Sequence, residues 1–316
     1  ALGTIFVQYA LGLNMFITCQ GFAKTSMLTV LIGAVLNIIL DPIFIFGFGM
    51  GVQGAALATI LSQAVSAVWV VKFLCGKKTT LKIKRENLRL QKEIILPVLA
   101  LGVSPFIMQS TESLLFVCLN SSLQRYGGDI AVGAMTILSS VMQLATLPLQ
   151  GLTQGAQPIV SYNFGAQKLD RVKKAFQLLL LSAMAFSTAI WLGVKLLPRA
   201  FAGLFTSDTA LIDYTAGSLR VYFAAGLVMG AQMACQQTFI ALGNAKSSVF
   251  LALLRKVILL IPLIYILPLF LEDQVFAVFL AEPVADTLAA ATTVTMFTVS
   301  FKKLMKNQKA ADAATT

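Results

Sequence analysis

Between Met27 and Ile45 the chain carries a single ionisable side chain, Asp41, in an otherwise apolar run. A stretch of that length and character suits a membrane-spanning helix. In lipid every backbone N–H and C=O needs an internal partner, and a helix supplies one within the segment itself. On that helix Asn37 and Asp41, four residues apart, share one face. A carboxylate in such surroundings is costly unless a cation, a proton or a partner accompanies it. Pro42 has no N–H to give to the carbonyl of Ile38. The freed carbonyl, Asn37 and Asp41 together offer a small cation site. The alternative is a polar helix end that caps the turn at Gly47-Phe48-Gly49.

The same character extends along the chain, which is 58% hydrophobic and 12% charged over 316 residues. Its mean hydropathy is +0.84. Soluble domains lie near about 45–50% apolar and about 25% charged. The expectation is therefore an all-α, polytopic membrane protein. Apolar runs and breakers predict about nine spans of roughly 20 residues or more. They lie near 1–20, 26–47, 53–75, 93–124, 130–161, 172–197, 210–242, 246–269 and 275–301. Ala1 already lies in an apolar run with no basic stretch before it, so a signal peptide is not expected and the chain reads as truncated at its start.

The net charge of +11 raises the question of nucleic acid, but the basic residues cluster in short loops between apolar runs. A positive-inside topology accounts for them, and no nucleic-acid partner is expected. The densest cluster lies between Lys77 and Lys92; others are Lys168 to Lys174 and Lys302 to Lys309. They alternate with poor or acidic loops at 47–53, 126–129, 207–213 and 272–273. The basic loops and the C-terminus are accordingly expected to be cytoplasmic, in a cell membrane. The domain reading is 1–76 for half of a first lobe, 77–92 for a basic linker, 93–301 for a second lobe and 302–316 for a tail.

A repeat supports two lobes. Gly21-Phe22-Ala23-Lys24-Thr25-Ser26 recurs as Gly243-Asn244-Ala245-Lys246-Ser247-Ser248, an offset of 243 − 21 = 222. Both copies fall in loops that the charge pattern places inside, which implies parallel repeats. The second copy lies 243 − 93 = 150 residues into its lobe. Equal spacing would start the first lobe about 129 residues before Ala1, room for about three more helices.

The absence of histidine excludes His-centred catalytic triads and His metal sites. Cys19, Cys75, Cys118 and Cys235 show no paired spacing and read as packing residues. Glycine-rich stretches lack the Lys-Ser/Thr of a phosphate loop. No enzyme activity, metal or cofactor is expected, and any transport would draw on an ion gradient.

Several polar residues interrupt the apolar runs. Glu112, flanked by Gln109, Ser110, Thr111 and Ser113 with Pro105 before it, is a candidate for a cationic substrate or a proton, or else a partner for another helix. The run from Leu149 to Pro158 repeats Gln and Gly, and it reads as a helix-packing surface. Its Gln154 and Gln157 remain candidate substrate contacts. Arg255 and Lys256 either snorkel to the inner surface or, for Arg255, pair with an acidic group in the lobe. Glu282 and Asp286 share a helical face and either line a cavity or form an ion pair. Arg255 and Asp286 join the candidate substrate or proton residues.

Three segments carry a resemblance. Gly21-x-Ala-Lys-x-Ser leads to Asn37-Ile-Ile-Leu-Asp-Pro42 and then to Gly51-Val-Gln-Gly-Ala-Ala-Leu-Ala-Thr59. Gln154-Gly-Ala-Gln-Pro-Ile-Val-Ser-Tyr-Asn-Phe-Gly-Ala166 is the second, and Ala241-Leu-Gly-Asn-Ala-Lys246 with Arg255 following is the third. Together they resemble the multidrug and toxic compound extrusion (MATE) family, in its bacterial branch of DNA-damage-inducible and staphylococcal-type drug exporters. The resemblance implies two six-helix lobes around a central cavity, with this chain similar to the fourth through twelfth helices. It implies a coupling site for H⁺ or Na⁺ that includes Asn37, Asp41 and Thr59 and is completed by a first-helix Asp. It also matches Glu112 to an acidic position that some members use. The stretch Phe270–Phe276 departs from the family's Gly-rich connection.

The leading expectation is a monomeric antiporter, in contact with membrane lipid, that exports cationic organic compounds for H⁺ or Na⁺. A flippase for lipid-linked saccharides in the same fold, or a non-transporting scaffold, are the alternatives. Basic cavity residues would favour the flippase, and intramembrane carboxylates argue against a scaffold. The topology is open to a direct check. A Lys82→Cys variant in intact cells is expected to give no signal with an impermeant thiol reagent, and strong labelling from outside would reverse the orientation.

Overall fold

The computed structural model describes residues 3–82 and 91–315, with side chains for all of these except 97, 100, 101, 104, 105, 108, 245 and 307–315. Lys84, Arg85 and Arg89 of the basic linker lie outside the described residues, as do the side chains of Pro105 and Lys309. The described residues are helical and contain no strand. The chain divides into two compact units, Ala1–Lys92 and Glu93–Thr316.

The first unit contains α1 (Thr4–Cys19), α2 (Ala23–Pro42), a π-helical segment π1 (Ile43–Gly47) and α3 (Gly51–Leu74). The α1–α2 turn closes with Phe22 N–H on the carbonyl of Ile17, and Gly21 adopts φ 86°. That left-handed conformation is one glycine tolerates freely. The chain after α3 returns to the same end: the Gln20 side-chain oxygen accepts from the backbone N–H groups of Thr80 and Leu81. The start of the basic linker is thus tied to the Gly21 turn.

The second unit opens with α4 (Lys92–Gly165), whose helical run is broken at Gly128 (φ 62°, ψ −157°). It continues through α5 (Leu169–Leu196), the short α6 (Pro198–Gly203), α7 (Thr209–Tyr222), α8 (Gly226–Ala241) and α9 (Ala245–Leu253). A second π-helical segment, π2 (Leu254–Leu260), leads into α10 (Ile261–Phe270), and α11 (Gln274–Thr315) ends the chain. The span expected at 210–242 is therefore two helices, because the turns at 223–225 interrupt it. The spans expected at 93–124 and 130–161 are two arms of α4 that meet at Gly128.

The α8–α9 turn repeats the first turn in detail. Asn244 N–H bonds the carbonyl of Phe239, and Gly243 takes φ 77°. Ile17 and Phe239, the acceptors in the two copies, are both buried. The six-residue repeat is thus one turn built twice, in which a 6→1 hydrogen bond ends one helix and starts the next.

Among the described residues six helices are long and apolar enough to cross a membrane. Large apolar side chains face outward, among them Phe46 (82% exposed), Leu181 (70%) and Leu269 (77%). Water would penalise such surfaces and lipid accommodates them. The chain is a multi-pass membrane protein.

Small residues set the helix contacts, as expected where burial from water does not drive association. Gly226 and Gly230 on α8 form a glycine pair at four-residue spacing. A Cβ at Gly230 would lie 2.4 Å from the Ala183 carbonyl oxygen on α5, and one at Gly226 3.1 Å from the Trp191 ring. Around this joint Leu123, Leu138, Leu149, Leu219, Leu260 and Ile264 form a fully buried core. We expect Gly230→Leu to lower the thermal midpoint in detergent or to prevent folding, since overpacking against backbone costs about 1–3 kcal/mol or more. Gly151→Ala, where a Cβ meets nothing within 4 Å, is expected to be neutral or to stabilise by up to about 1 kcal/mol.

Candidate functional site

In the first unit α2 brings Asn37 and Asp41 together as the four-residue spacing requires. Asn37 Nδ2 donates to Asp41 Oδ1 at 3.1 Å, and both side chains are half-buried. Pro42 ends α2 and π1 begins at the next residue, with Phe48 N–H on the carbonyl of Ile43 and Met50 N–H on that of Phe44. The backbone beside Asp41 is therefore wider than an α-helix.

Small-residue contacts fix the neighbour. Ser66 Oγ donates to the Thr29 carbonyl at 3.1 Å, Gly33 packs against Ser62 and Ser66, and Gly54 packs against the backbone of Phe44. This antiparallel register sets Thr59 level with Asn37 and Ala55 level with Asp41. Thr59 is exposed, and its hydroxyl donates to the Ala55 carbonyl at 2.9 Å. The donation leaves the hydroxyl lone pairs available. Thr59 thus shares a level with the Asn37–Asp41 pair without a hydrogen bond to it.

A second polar group lies in the second unit, and it is an ion-pair network. Arg255, in π2, donates through Nη2 to Glu282 Oε1 at 3.3 Å and through Nε to Asp286 Oδ1. Glu282 and Asp286 lie one turn apart on α11 and are 3% and 6% exposed. Of the two sequence alternatives the ion pair is the one formed. Arg255 does not snorkel, because two carboxylates lie within its reach. Next to it Lys256 Nζ pairs with Glu112 Oε1 from α4. The Glu112 side chain remains 52% exposed while that of Lys256 is 14% exposed.

Gln154 is exposed and Gln157 half-buried on α4. The close helix contact expected of their Gln-Gly run is not formed among the described residues, since a Cβ at Gly151 or Gly155 would meet nothing within 4 Å. The glycines open a polar strip instead of closing a joint. At the end of α4, Ser161 Oγ donates to the Ala241 carbonyl at 2.9 Å.

Sequence reasoning did not foresee the pairing of Lys256 with Glu112. Arg255 and Lys256 are consecutive, and an α-helix turns successive side chains about 100° apart. The π2 segment alters that geometry. Its one signal is Pro262, soon after π2, where a missing N–H loosens the preceding turn. The described residues hold no group of three His, Cys, Asp or Glu side chains that could bind a metal ion.

Comparison with known proteins follows the same lines. The MatE family model matches residues 105–266, half of the chain. This chain belongs to the MatE family. It is similar to multidrug export protein MepA of Staphylococcus aureus (strain N315), 28% identical over 266 residues. That alignment covers 84% of this chain and 58% of the relative, so the chain spans about three fifths of the length of the curated proteins it matches. Among solved structures, one described as MATE in the bent conformation superimposes with a TM-score of 0.89 at 23% identity, over 98% of this chain and 68% of that one. A MOP superfamily transporter from Pyrococcus furiosus gives 0.82 at 24% identity, over 89% of this chain and 63% of that one. The shared fold is the two-lobe helical bundle of MATE structures.

The network makes a prediction about this MatE chain. Arg255→Met leaves Glu282 and Asp286 buried without their cation, which costs about 3–5 kcal/mol. A large fall in thermal midpoint is expected. Arg199→Ala breaks an exposed pair with Asp213 (74% and 58% exposed). Its cost is expected to be about 0–1 kcal/mol.

Proposed function

We propose that this chain forms part of a secondary active antiporter that exports cationic organic compounds in exchange for H⁺ or Na⁺. The observation that carries the reading is Asp41. It sits in an apolar helix beside a π-helical widening, hydrogen-bonded to Asn37 and level with Thr59. Such a carboxylate is retained where it binds and releases a cation. Asn37, Asp41 and Thr59 supply hard oxygen ligands suited to Na⁺, and Asp41 alone can take a proton. Glu112, half exposed, offers negative charge to an organic cation, with Gln154 and Gln157 as polar contacts. The MepA relative is described as a multidrug export protein, which supports small-molecule substrates. The reading places the protein in the cell membrane as a monomer, with cytoplasmic basic loops and C-terminus and no enzymatic step.

A flippase for an anionic lipid-linked cargo would need unmatched basic residues. Arg255 and Lys256 are instead met by three carboxylates, so the balance favours cationic cargo.

The test is substitution in the complete protein, reconstituted in liposomes with imposed pH or Na⁺ gradients. Asp41→Asn keeps size and hydrogen bonding but removes the charge. Expression is expected to survive while gradient-driven export falls by at least about tenfold, the equivalent of about 1.4 kcal/mol of lost coupling. Normal gradient-dependent export by this variant would reduce Asp41 to a helix-end residue. Thr59→Val removes a ligand oxygen at nearly constant volume. It is expected to weaken Na⁺ dependence if Na⁺ is the ion and to matter little if the ion is H⁺.

A further inference from the structure

The network in the second unit has an uneven charge count. Lys256 and Glu112 balance each other at its exposed edge. Deeper in, one guanidinium faces two carboxylates, Glu282 and Asp286. Both carboxylates lie on one face of α11, one turn apart, where like charges repel. Glu282 accepts from Arg255 through Oε1; its Oε2 is buried and has no hydrogen-bond partner among the described residues. A fully ionised pair would therefore leave one negative charge uncompensated and one charged oxygen without a donor, in an apolar bundle. That state is strongly disfavoured.

Among the described residues the second cation near Glu282 is Lys256, which Glu112 already holds, and Arg220 on α7 is exposed. The charged and titratable groups near Glu282 are Arg255 and Lys256 from π2, Glu112 from α4, Tyr222 from α7 and its own neighbour Asp286. No charged residue occurs in α8, and its Cys235 lies in a separate cluster with Phe239 and Phe297. Lys246 on α9 is exposed, and Tyr265 on α10 lies beside Cys118. A proton on Oε2 would supply both the missing positive charge and a donor for that oxygen.

We infer that Glu282 holds an exchangeable proton on Oε2, and that an organic cation binding at Glu112 drives it off by displacing Lys256. This deepens the export reading and rests on it for the identity of the incoming cation. The exchange balances. The organic cation takes the place of the Lys256 ammonium at Glu112. Lys256, still charged, becomes the second cation for the Glu282–Asp286 pair. The O–H bond of Glu282 then breaks, its electron pair stays on the carboxylate, and the proton passes to water. One positive charge enters and one leaves. Reversal reprotonates Glu282, returns Lys256 to Glu112 and ejects the organic cation. Glu112 is open enough to receive a ligand, and the buried carboxylates are not.

The experiment uses the full chain, extended as in the complete protein, in lipid at neutral pH. Infrared spectra are expected to show a carboxylic-acid C=O band that shifts on H/D exchange. The band should be lost in Glu282→Gln and kept in Asp213→Asn, a control at an exposed carboxylate. Addition of tetraphenylphosphonium in weak buffer is expected to release about one proton per chain. That release should be lost in Glu282→Gln and in Glu112→Gln. If Glu282→Gln fails to fold, Asp286→Asn gives a second route: it leaves one carboxylate per guanidinium, so the band should disappear. A wild-type protein without the band, or a band that survives in folded Glu282→Gln, overturns the proton assignment. A band with no phosphonium-induced release overturns the exchange. Gradient-driven export is measured in parallel, so loss of the band with export intact separates this inference from the export reading.

Discussion

The need to satisfy every backbone hydrogen bond inside the chain governs this structure, because lipid offers no substitute partner. Several departures from regular helix among the described residues have an identifiable local device. The turns after Ile17 and Phe239 close with a 6→1 hydrogen bond and a left-handed glycine. The α4 run bends at Gly128, where φ is 62°. The two π-helical segments adjoin Pro42 and Pro262 and carry wider hydrogen-bonding rings in place of regular α turns. Asp41 sits beside the first segment, and Arg255 and Lys256 lie within the second. Backbone accommodation and ionisable side chains thus coincide, as they do where π-bulges mark functional positions.

Charge follows the same economy. In the second unit Arg255 meets Glu282 and Asp286, and Lys256 meets Glu112. The Asn37–Asp41 pair of the first unit is different, since the side chain that Asp41 bonds is an amide. A neutral partner orients the carboxylate without competing for a cation. A guanidinium in the same place would occupy the site permanently. The two units therefore hold their carboxylates differently, one beside an amide and the other beside basic side chains.

Much of this was legible in the sequence, because period and composition record what lipid demands. The apolar runs mark the helices, and the repeat at Gly21 and Gly243 marks a turn closed by the same backbone hydrogen bonds in both copies. The pairing of Asn37 with Asp41 follows from a spacing of four. Three features were not legible. The break at 223–225 falls in Phe223-Ala224-Ala225, which carries no proline or glycine within it. The Gln-Gly strip after Leu149 has the composition of a packing surface, but small residues permit close approach without compelling it. The Lys256–Glu112 pair joins residues 144 positions apart (256 − 112), and its geometry depends on a π segment that period-3.6 reasoning cannot express.

The repeat also sets a helix contact of one unit beside a helix contact of the other. With the offset of 222, Arg255 corresponds to 255 − 222 = 33, which is Gly33. Gly33 packs against Ser62 and Ser66, an i, i+4 pair on the next long helix of its unit. Arg255 meets Glu282 and Asp286, also an i, i+4 pair on the next long helix of its unit. Under the same offset Glu282 and Asp286 correspond to 282 − 222 = 60 and 286 − 222 = 64, so the two contacts share the i, i+4 spacing and differ by two residues in register. In the first unit a missing side chain lets the helices touch, and a Cβ at Gly33 would come within 2.5 Å of Ser66 Oγ. In the second unit a long guanidinium must fit between the helices and reach both carboxylates. Arg255 and Lys256 both lie in the π-helical Leu254–Leu260, and Lys256 pairs with Glu112. A joint held by small-residue contact is close-packed and resists change. A joint held by charge can respond to a proton, because altering one ionisation state alters what holds the helices together.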